Sequence, residues 1–222
     1  MAGWEGRPGL WRVEEGCLTG GSLSEAVARN EFLATTRDYT NFIVRLQIKL
    51  TGTNGFINSG FQIRWQRVPN SSEMAGYQCD YGEPDWYGAV YDESRRNKVM
   101  APSDMKALGP VIRRQEWNDY VIRAEGPRIT TWINGVMGAD YTEADPAILD
   151  WGKLGLQIHG GGKALVQVRA ISIEELPPTS AGNKFIVAPE PRQSSQGSPL
   201  DAAEEELALP VAAGFASGLV AL

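Results

Sequence analysis

Three short segments carry side chains able to bind and transform a polyhydroxyl ligand: Asn58-Ser-Gly-Phe-Gln-Ile-Arg-Trp65, Gly76-Tyr-Gln-Cys-Asp-Tyr81 and Gly88-Ala-Val-Tyr-Asp-Glu93. In the first, Phe61, Ile63 and Trp65 alternate with Gln62 and Arg64; in the second, Tyr77, Cys79 and Tyr81 alternate with Gln78 and Asp80. Period-2 alternation sends successive side chains to opposite faces of a sheet. One face is therefore apolar, and the other presents Gln62, Arg64, Gln78 and Asp80. Amides, a guanidinium and a carboxylate are the groups that hold sugar hydroxyls. In the third segment Val90 points to the core, so Tyr91 and Glu93 take the polar side. Lys153-Leu-Gly-Leu-Gln-Ile-His159 repeats the pattern, with Gln157 and His159 opposite Leu154, Leu156 and Ile158.

These groups suit proton transfer. His159 is the single histidine of the chain, the residue type most used for proton transfer. Glu93 and Asp80 make a pair of carboxylates of the kind that flanks a glycosidic bond. Tyr91 can donate to an oxyanion, and Arg64 can hold Asp80 or Glu93 ionised. Trp86, in the loop Glu83-Pro-Asp-Trp-Tyr87, offers a plane for stacking on a sugar ring. The candidate catalytic residues are thus Glu93, His159, Asp80 and Tyr91; the candidate binding residues are Gln62, Arg64, Gln78, Trp86 and Gln157. Plainer readings stand beside them: a wet sheet face, a His that braces a loop, and an ion pair of Glu93 with Arg95 or Arg96. The Gly160-Gly-Gly162 turn is expected to leave room for a ligand.

What positions these residues is a run of strands punctuated by Gly, Asn, Asp and Pro. An opening hairpin is expected around Glu14-Glu15-Gly16 and a half-buried strand over Asn41–Leu50, ending in a turn at Thr51–Gly55. Trp117–Ala124 and Arg128–Ile133 follow, then Asn134-Gly135, the strongest short hairpin signal. Ala164–Glu174 closes the series, and no helix longer than Pro102–Leu108 is predicted. About a dozen short strands read as an all-β sandwich over residues 1–178. Residues 179–200 are rich in Pro, Ser, Gln and Gly and read as a linker. Residues 201–222 read as an irregular tail unable to bury a core alone.

Composition excludes several classes. The chain has 222 residues and a net charge of −6, with no Lys/Arg stripe to track phosphates, so no nucleic-acid partner is expected. No stretch approaches 18 apolar residues, so no transmembrane helix is expected. Two Cys and one His cannot build a four-ligand zinc site. Asp80, Glu83 and Asp85 could offer oxygens to calcium, but their spacing matches no EF-hand loop, and no cofactor is expected. Cys79 falls on the apolar face of its strand, which favours buried free thiols over a Cys17–Cys79 disulfide. Nothing in the sequence speaks to oligomeric state.

The ordered series Gly3-Trp4-Glu5, Leu10-Trp-Arg-Val-Glu-Glu-Gly16, Asn58–Arg64, Gly76–Asp80, Gly88–Glu93, Glu116-Trp-Asn-Asp-Tyr120, Trp132-Ile-Asn-Gly135, Gly155-Leu-Gln-Ile-His-Gly160 and Ile171–Leu176 resembles the 3-keto-disaccharide hydrolase family. The resemblance covers about residues 3–176. It implies a concanavalin A-like jelly roll of two curved antiparallel sheets, with saccharides on the concave face. It also implies action on 3-keto-glycosides in secreted or periplasmic bacterial proteins. The N-terminus carries no signal peptide and lacks the family's usual opening segment. Glu204–Phe215 resembles the start of a propeller-type dehydrogenase domain. A chain cut from a longer protein gives weight to a non-catalytic carbohydrate-binding role.

Overall fold

The structure is a computed structural model, and it describes residues 1–179. The expected linker and tail therefore lie, from residue 180 onward, outside the described residues. Fourteen strands run in chain order: β1 (Trp4–Gly6), β2 (Trp11–Glu14), β3 (Cys17–Gly21), β4 (Glu31–Tyr39), β5 (Phe42–Asn54), β6 (Asn58–Arg67), β7 (Met74–Gly82), β8 (Val90–Glu93), β9 (Lys98–Ala101), β10 (Asn118–Glu125), β11 (Arg128–Ile133), β12 (Val136–Thr142), β13 (Gly152–Ile158) and β14 (Lys163–Glu175). The one helix described, α1 (Met105–Leu108), starts at Asp104, whose side chain accepts from the Lys106 and Ala107 amides. Among the described residues no helix is long and apolar enough to cross a membrane.

The strands form two seven-stranded antiparallel sheets, one in the order β1-β4-β13-β6-β7-β8-β9 and the other β12-β11-β10-β5-β14-β3-β2. Half of the neighbouring pairs join strands that are not consecutive in the chain, as in a jelly roll rather than a simple meander. The core lies between the sheets. Phe61, Ile63, Cys79, Tyr81, Val90, Leu154, Leu156 and Ile158 come from the first; Phe42, Val44, Leu46, Ile48, Ile122, Val166 and Val168 come from the second. Two polar contacts brace it: Asn118 donates to Tyr81 Oη at 2.6 Å, and Tyr120 Oη donates to the Asp80 carbonyl at 3.1 Å. Cys17 and Cys79 are buried and free.

Local chemistry explains the hairpins. Asn134 and Gly135 both have positive φ, as a two-residue turn that follows strand twist requires, and they set Ile133 opposite Val136. The β2–β3 hairpin closes with Glu14 opposite Cys17. Two expectations need correction. The strand expected to end at Leu50 continues to Asn54, because β14 pairs with it at Thr51, Gly52 and, past a shift in register, Asn54. Trp65, expected on the core face, lies on the opposite one. A β-bulge at Arg64 (φ 56°) inserts an extra residue into β6 and reverses the parity after it. Trp65 packs there with Phe32, Ala34 and Met74, its ring edge-on to Phe32 at 4.7 Å.

Candidate functional site

The strands that carry the candidate residues, β13, β6, β7 and β8, are consecutive neighbours in the first sheet. Register sets Gly155, Gln62, Gln78 and Tyr91 in one row across them, and Gln157, Gly60 and Asp80 in the next. Their core-facing neighbours fix the parity, so these side chains share the outer face. Gly60 makes the floor possible: a Cβ there would meet Gln78 Cγ at 2.7 Å. On this floor Gln62 Nε2 donates to Gln78 Oε1, Gln78 Nε2 donates to Asp80 Oδ1 at 2.5 Å, and Asn58 Nδ2 donates to the same Oδ1 at 3.4 Å. Gln78 Nε2 also reaches Asn58 Oδ1 at 3.3 Å. Asn58 belongs to the site although the sequence reading left it out; its alternation with Gly60 and Gln62 was the available signal.

Gln157 Nε2 donates to Glu93 Oε2 at 3.2 Å. β13 and β8 are separated by two strands, about 14 Å in a flat sheet. The bond therefore requires the sheet to curl, and the shared face is concave. Among the described residues, no cation lies beside Glu93. Arg95 and Arg96, its partners in the plainer reading, both turn to Asp92 on the other side of β8, with Arg95 Nε 2.8 Å from Asp92 Oδ1. Burial raises the Glu93 carboxyl above the usual range, against the Gln157 hydrogen bond, and Glu73 and Asp92 raise it further. Asp80 is shifted more. Burial pushes it up to about 8 despite the bonds from Gln78 and Asn58, and the charge of Glu93 adds to the rise. Three buried oxygens of this face have no partner among the described residues: Gln62 Oε1, Asp80 Oδ2 and Gln157 Oε1. Buried polar atoms are nearly always paired, so three orphans together set this face apart from an ordinary sheet surface.

Aromatic rings rim the floor. His159 lies edge-on to Phe56 at 4.6 Å between centroids, Phe56 to Trp86 at 6.4 Å, and Trp86 to Tyr91 at 6.4 Å. His159 Nδ1 lies 2.7 Å from the Gly160 carbonyl. A carbonyl only accepts, so in the neutral ring Nδ1 carries the hydrogen and Nε2 keeps its lone pair. Phe56, 38% exposed, falls between the turn read at Thr51–Gly55 and the strand read from Asn58, and was missed. The Gly160-Gly-Gly162 turn is open at Gly161, where a Cβ would meet nothing within 4 Å, and crowded on either side of it. A Cβ on Gly162 would collide with the Phe56 carbonyl, and one on Gly160 would lie 2.6 Å from Arg29 Cα. Arg114 holds the loop that carries Trp86: it pairs with Glu83, donates to the Pro84 carbonyl at 2.9 Å and lies over the Tyr87 ring at 5.4 Å.

Arg64 does not join the others. The bulge turns it toward the sandwich end, where Nη2 reaches the Thr40 carbonyl at 3.4 Å. Burial lowers its pKa to about 10, opposed by Asp150, Tyr77 and Cys79. The structure thus brings together Gln62, Gln78, Asp80, Tyr91, Glu93, Gln157, Trp86 and His159 on one face, and removes Arg64 from it. Glu83 is drawn to Arg114 and Asp85 lies 3.9 Å from it, away from Asp80 on the floor. Among the described residues no group of three or more His, Cys, Asp or Glu is placed to hold a metal ion.

A family model, that of the 3-keto-alpha-glucoside-1,2-lyase-like domain, matches residues 1–174. The chain belongs to this family. Solved structures resemble this member of the lyase-like family in fold. The carbohydrate-binding module CBM66 from Bacillus subtilis superposes with a TM-score of 0.60 at 16% identity, over 79% of this chain and 97% of that one. A candidate glycosyl hydrolase from Parabacteroides distasonis gives 0.59 at 22%, over 79% and 89%. A galectin-like protein of unknown function from Bacillus subtilis gives 0.55 at 10%, over 79% and 90%. No curated protein matches the chain.

Proposed function

We propose that this lyase-like domain binds a saccharide on the concave face and cleaves 3-keto-glycosides there. One observation carries the reading: two cation-free carboxyls, Asp80 and Glu93, face one cleft, and both are held above the ordinary carboxylate range. Perturbed carboxyls in a cleft point to proton transfer. A ketone at C3 acidifies the C2 hydrogen. Glu93, made more basic by burial, takes that proton, and the C–H electron pair passes into an enolate. The enolate then expels the C1 oxygen, which takes a proton from His159 after Nε2 has picked one up. Water adds to the resulting double bond. Trp86 and Phe56 supply stacking surface, while Gln62, Gln78 and Gln157 supply hydrogen bonds to hydroxyls. The enzyme works outside the cytoplasm, secreted or periplasmic, and needs no cofactor.

Incubation with a 3-keto-glucoside bearing a chromogenic aglycone tests this. Release above the buffer rate is expected. A folded sample that binds the compound without releasing aglycone sinks the enzymatic reading. A second reading, a non-catalytic carbohydrate-binding module, is favoured by the shared architecture with CBM66. Tight calorimetric binding of unoxidised oligosaccharides, with no turnover of keto sugars, selects it.

A further inference from the structure

Asp80 lies fully buried among neutral partners. Gln78 and Asn58 both donate to Oδ1, and Oδ2 has no partner. Arg64, the cation that the sequence places beside it, faces away across the bulge. Among the described residues, the titratable groups that interact electrostatically with Asp80 are Glu93 and Tyr91 on β8, on its own face, and Cys79 and Tyr120 on the core side; none carries positive charge. An ionised Asp80 would hold a bare anionic oxygen in a dry site, the costliest way to bury a carboxyl. A neutral acid resolves it, because Oδ1 then accepts the two amides and the hydrogen sits on Oδ2. That hydrogen still needs an acceptor. The two other orphans of the floor, Gln62 Oε1 and Gln157 Oε1, are acceptors seeking donors. The floor therefore presents one buried donor together with two buried acceptors.

We infer that Asp80 is a neutral hydrogen-bond donor that reads a carbonyl oxygen of the ligand while Gln62 and Gln157 receive hydroxyl hydrogens beside it, so that the cleft selects an oxidised sugar over its parent alcohol. The inference rests on the keto-glycoside reading above. An alcohol at the same position brings a hydrogen of its own, and Asp80 Oδ1, already taken by two amides, cannot receive it. A carbonyl brings none. A polar group left unpaired in a buried site is the strongest basis for rejecting a near-identical ligand. When the adjacent C–H bond breaks, charge grows on that carbonyl oxygen and the Asp80 hydrogen bond strengthens without the proton having to leave.

Two measurements test this. Carboxyl carbon NMR of the labelled full chain follows Asp80 without any ligand, and its midpoint is expected near 8. A midpoint below about 5, near that of an ordinary carboxylate, overturns the neutral donor and leaves the keto-glycoside reading untouched. Calorimetry with methyl 3-keto-glucoside and methyl glucoside then reads selectivity. The wild type is expected to prefer the ketone at least tenfold. Asp80→Ala is expected to erase the preference, and Asp80→Asn, which retains a donor, to restore most of it. Equal affinity of the wild type for the two sugars overturns carbonyl recognition, and binding of neither overturns both readings. The NMR arm needs no variant, so a substitution that fails to fold does not shield the inference.

Discussion

Glu93 is available for chemistry because its neighbour Asp92 is not. Asp92 is fully buried and takes both arginines of the following turn, so Glu93 keeps only a neutral amide as partner. Glu93→Gln keeps the shape and removes the base. Turnover of a 3-keto-glucoside should fall by roughly 10²-fold or more, the usual size of an acid–base contribution. The melting temperature should stay nearly constant, since Glu93 fills no part of the core; a large drop would make the residue structural instead. Asp80 yields a pH prediction whose sign is fixed. Its carboxyl titrates at about 8 in the folded chain, against an ordinary value near 4 when unfolded. Between these values the folded state holds the extra proton, so the contribution is complete below pH 4 and is lost as pH rises toward 8. The loss is at most about 1.4 kcal/mol per pH unit. Asp80→Asn should therefore gain on the wild type in denaturant midpoint from pH 5 to pH 8; parallel pH profiles would contradict it. At this scale the sequence made the polar residues legible by alternation alone. Asn58 shares that alternation but opens its strand and was passed over, and Phe56, between the turn at Thr51–Gly55 and the strand from Asn58, gave no such signal.

Strands and loops decide which of these residues meet. The alternation of β6, β7 and β13 placed Gln62, Gln78, Asp80 and Gln157 on one face, and the structure agrees. It failed at Arg64 and Trp65. A bulge built on a non-glycine residue at positive φ carries no composition signal, so the sequence cannot announce it. The consequence is measurable. Arg64→Ala should leave saccharide affinity within about twofold, while the loss of its buried hydrogen bond to Thr40 costs about 1–3 kcal/mol of stability. A tenfold loss of affinity at unchanged stability would return Arg64 to the cleft. The loop before β8 behaves in the opposite way. Arg114 touches no candidate ligand group, yet it clamps Glu83, Pro84 and Tyr87 around Trp86. Arg114→Ala should weaken saccharide binding several-fold through a freer Trp86, visible as changed intrinsic fluorescence; unchanged affinity would show that Trp86 needs no such clamp.

The whole molecule was the most legible level. Short alternating segments at regular spacing could close only as a sandwich, and two seven-stranded antiparallel sheets result. The order of strands within each sheet was not legible, because pairings such as β13 with β6 join segments about ninety residues apart by packing rather than by local chemistry. The net charge of −6 carries its own prediction. A neutral ligand in a buried cleft without a cation leaves nothing for salt to screen. Saccharide affinity should change less than twofold between 50 and 500 mM salt; a steep salt slope would indicate an anionic ligand.

The contact between the Gly162 turn and Phe56 reaches beyond local fit. Two loops that join different strand pairs meet there backbone to backbone, with no side chain between them to absorb a change. Whatever thickens one must displace the other, and Phe56 travels with it. The width of the cleft mouth is thereby set by a turn that touches no sugar. A single methyl group, as in Gly162→Ala, would act as a shim that resizes the entrance while the floor of amides and carboxyls stays as it is. Relatives could then diverge in the aglycones they admit by altering a residue that no map of ligand contacts would mark.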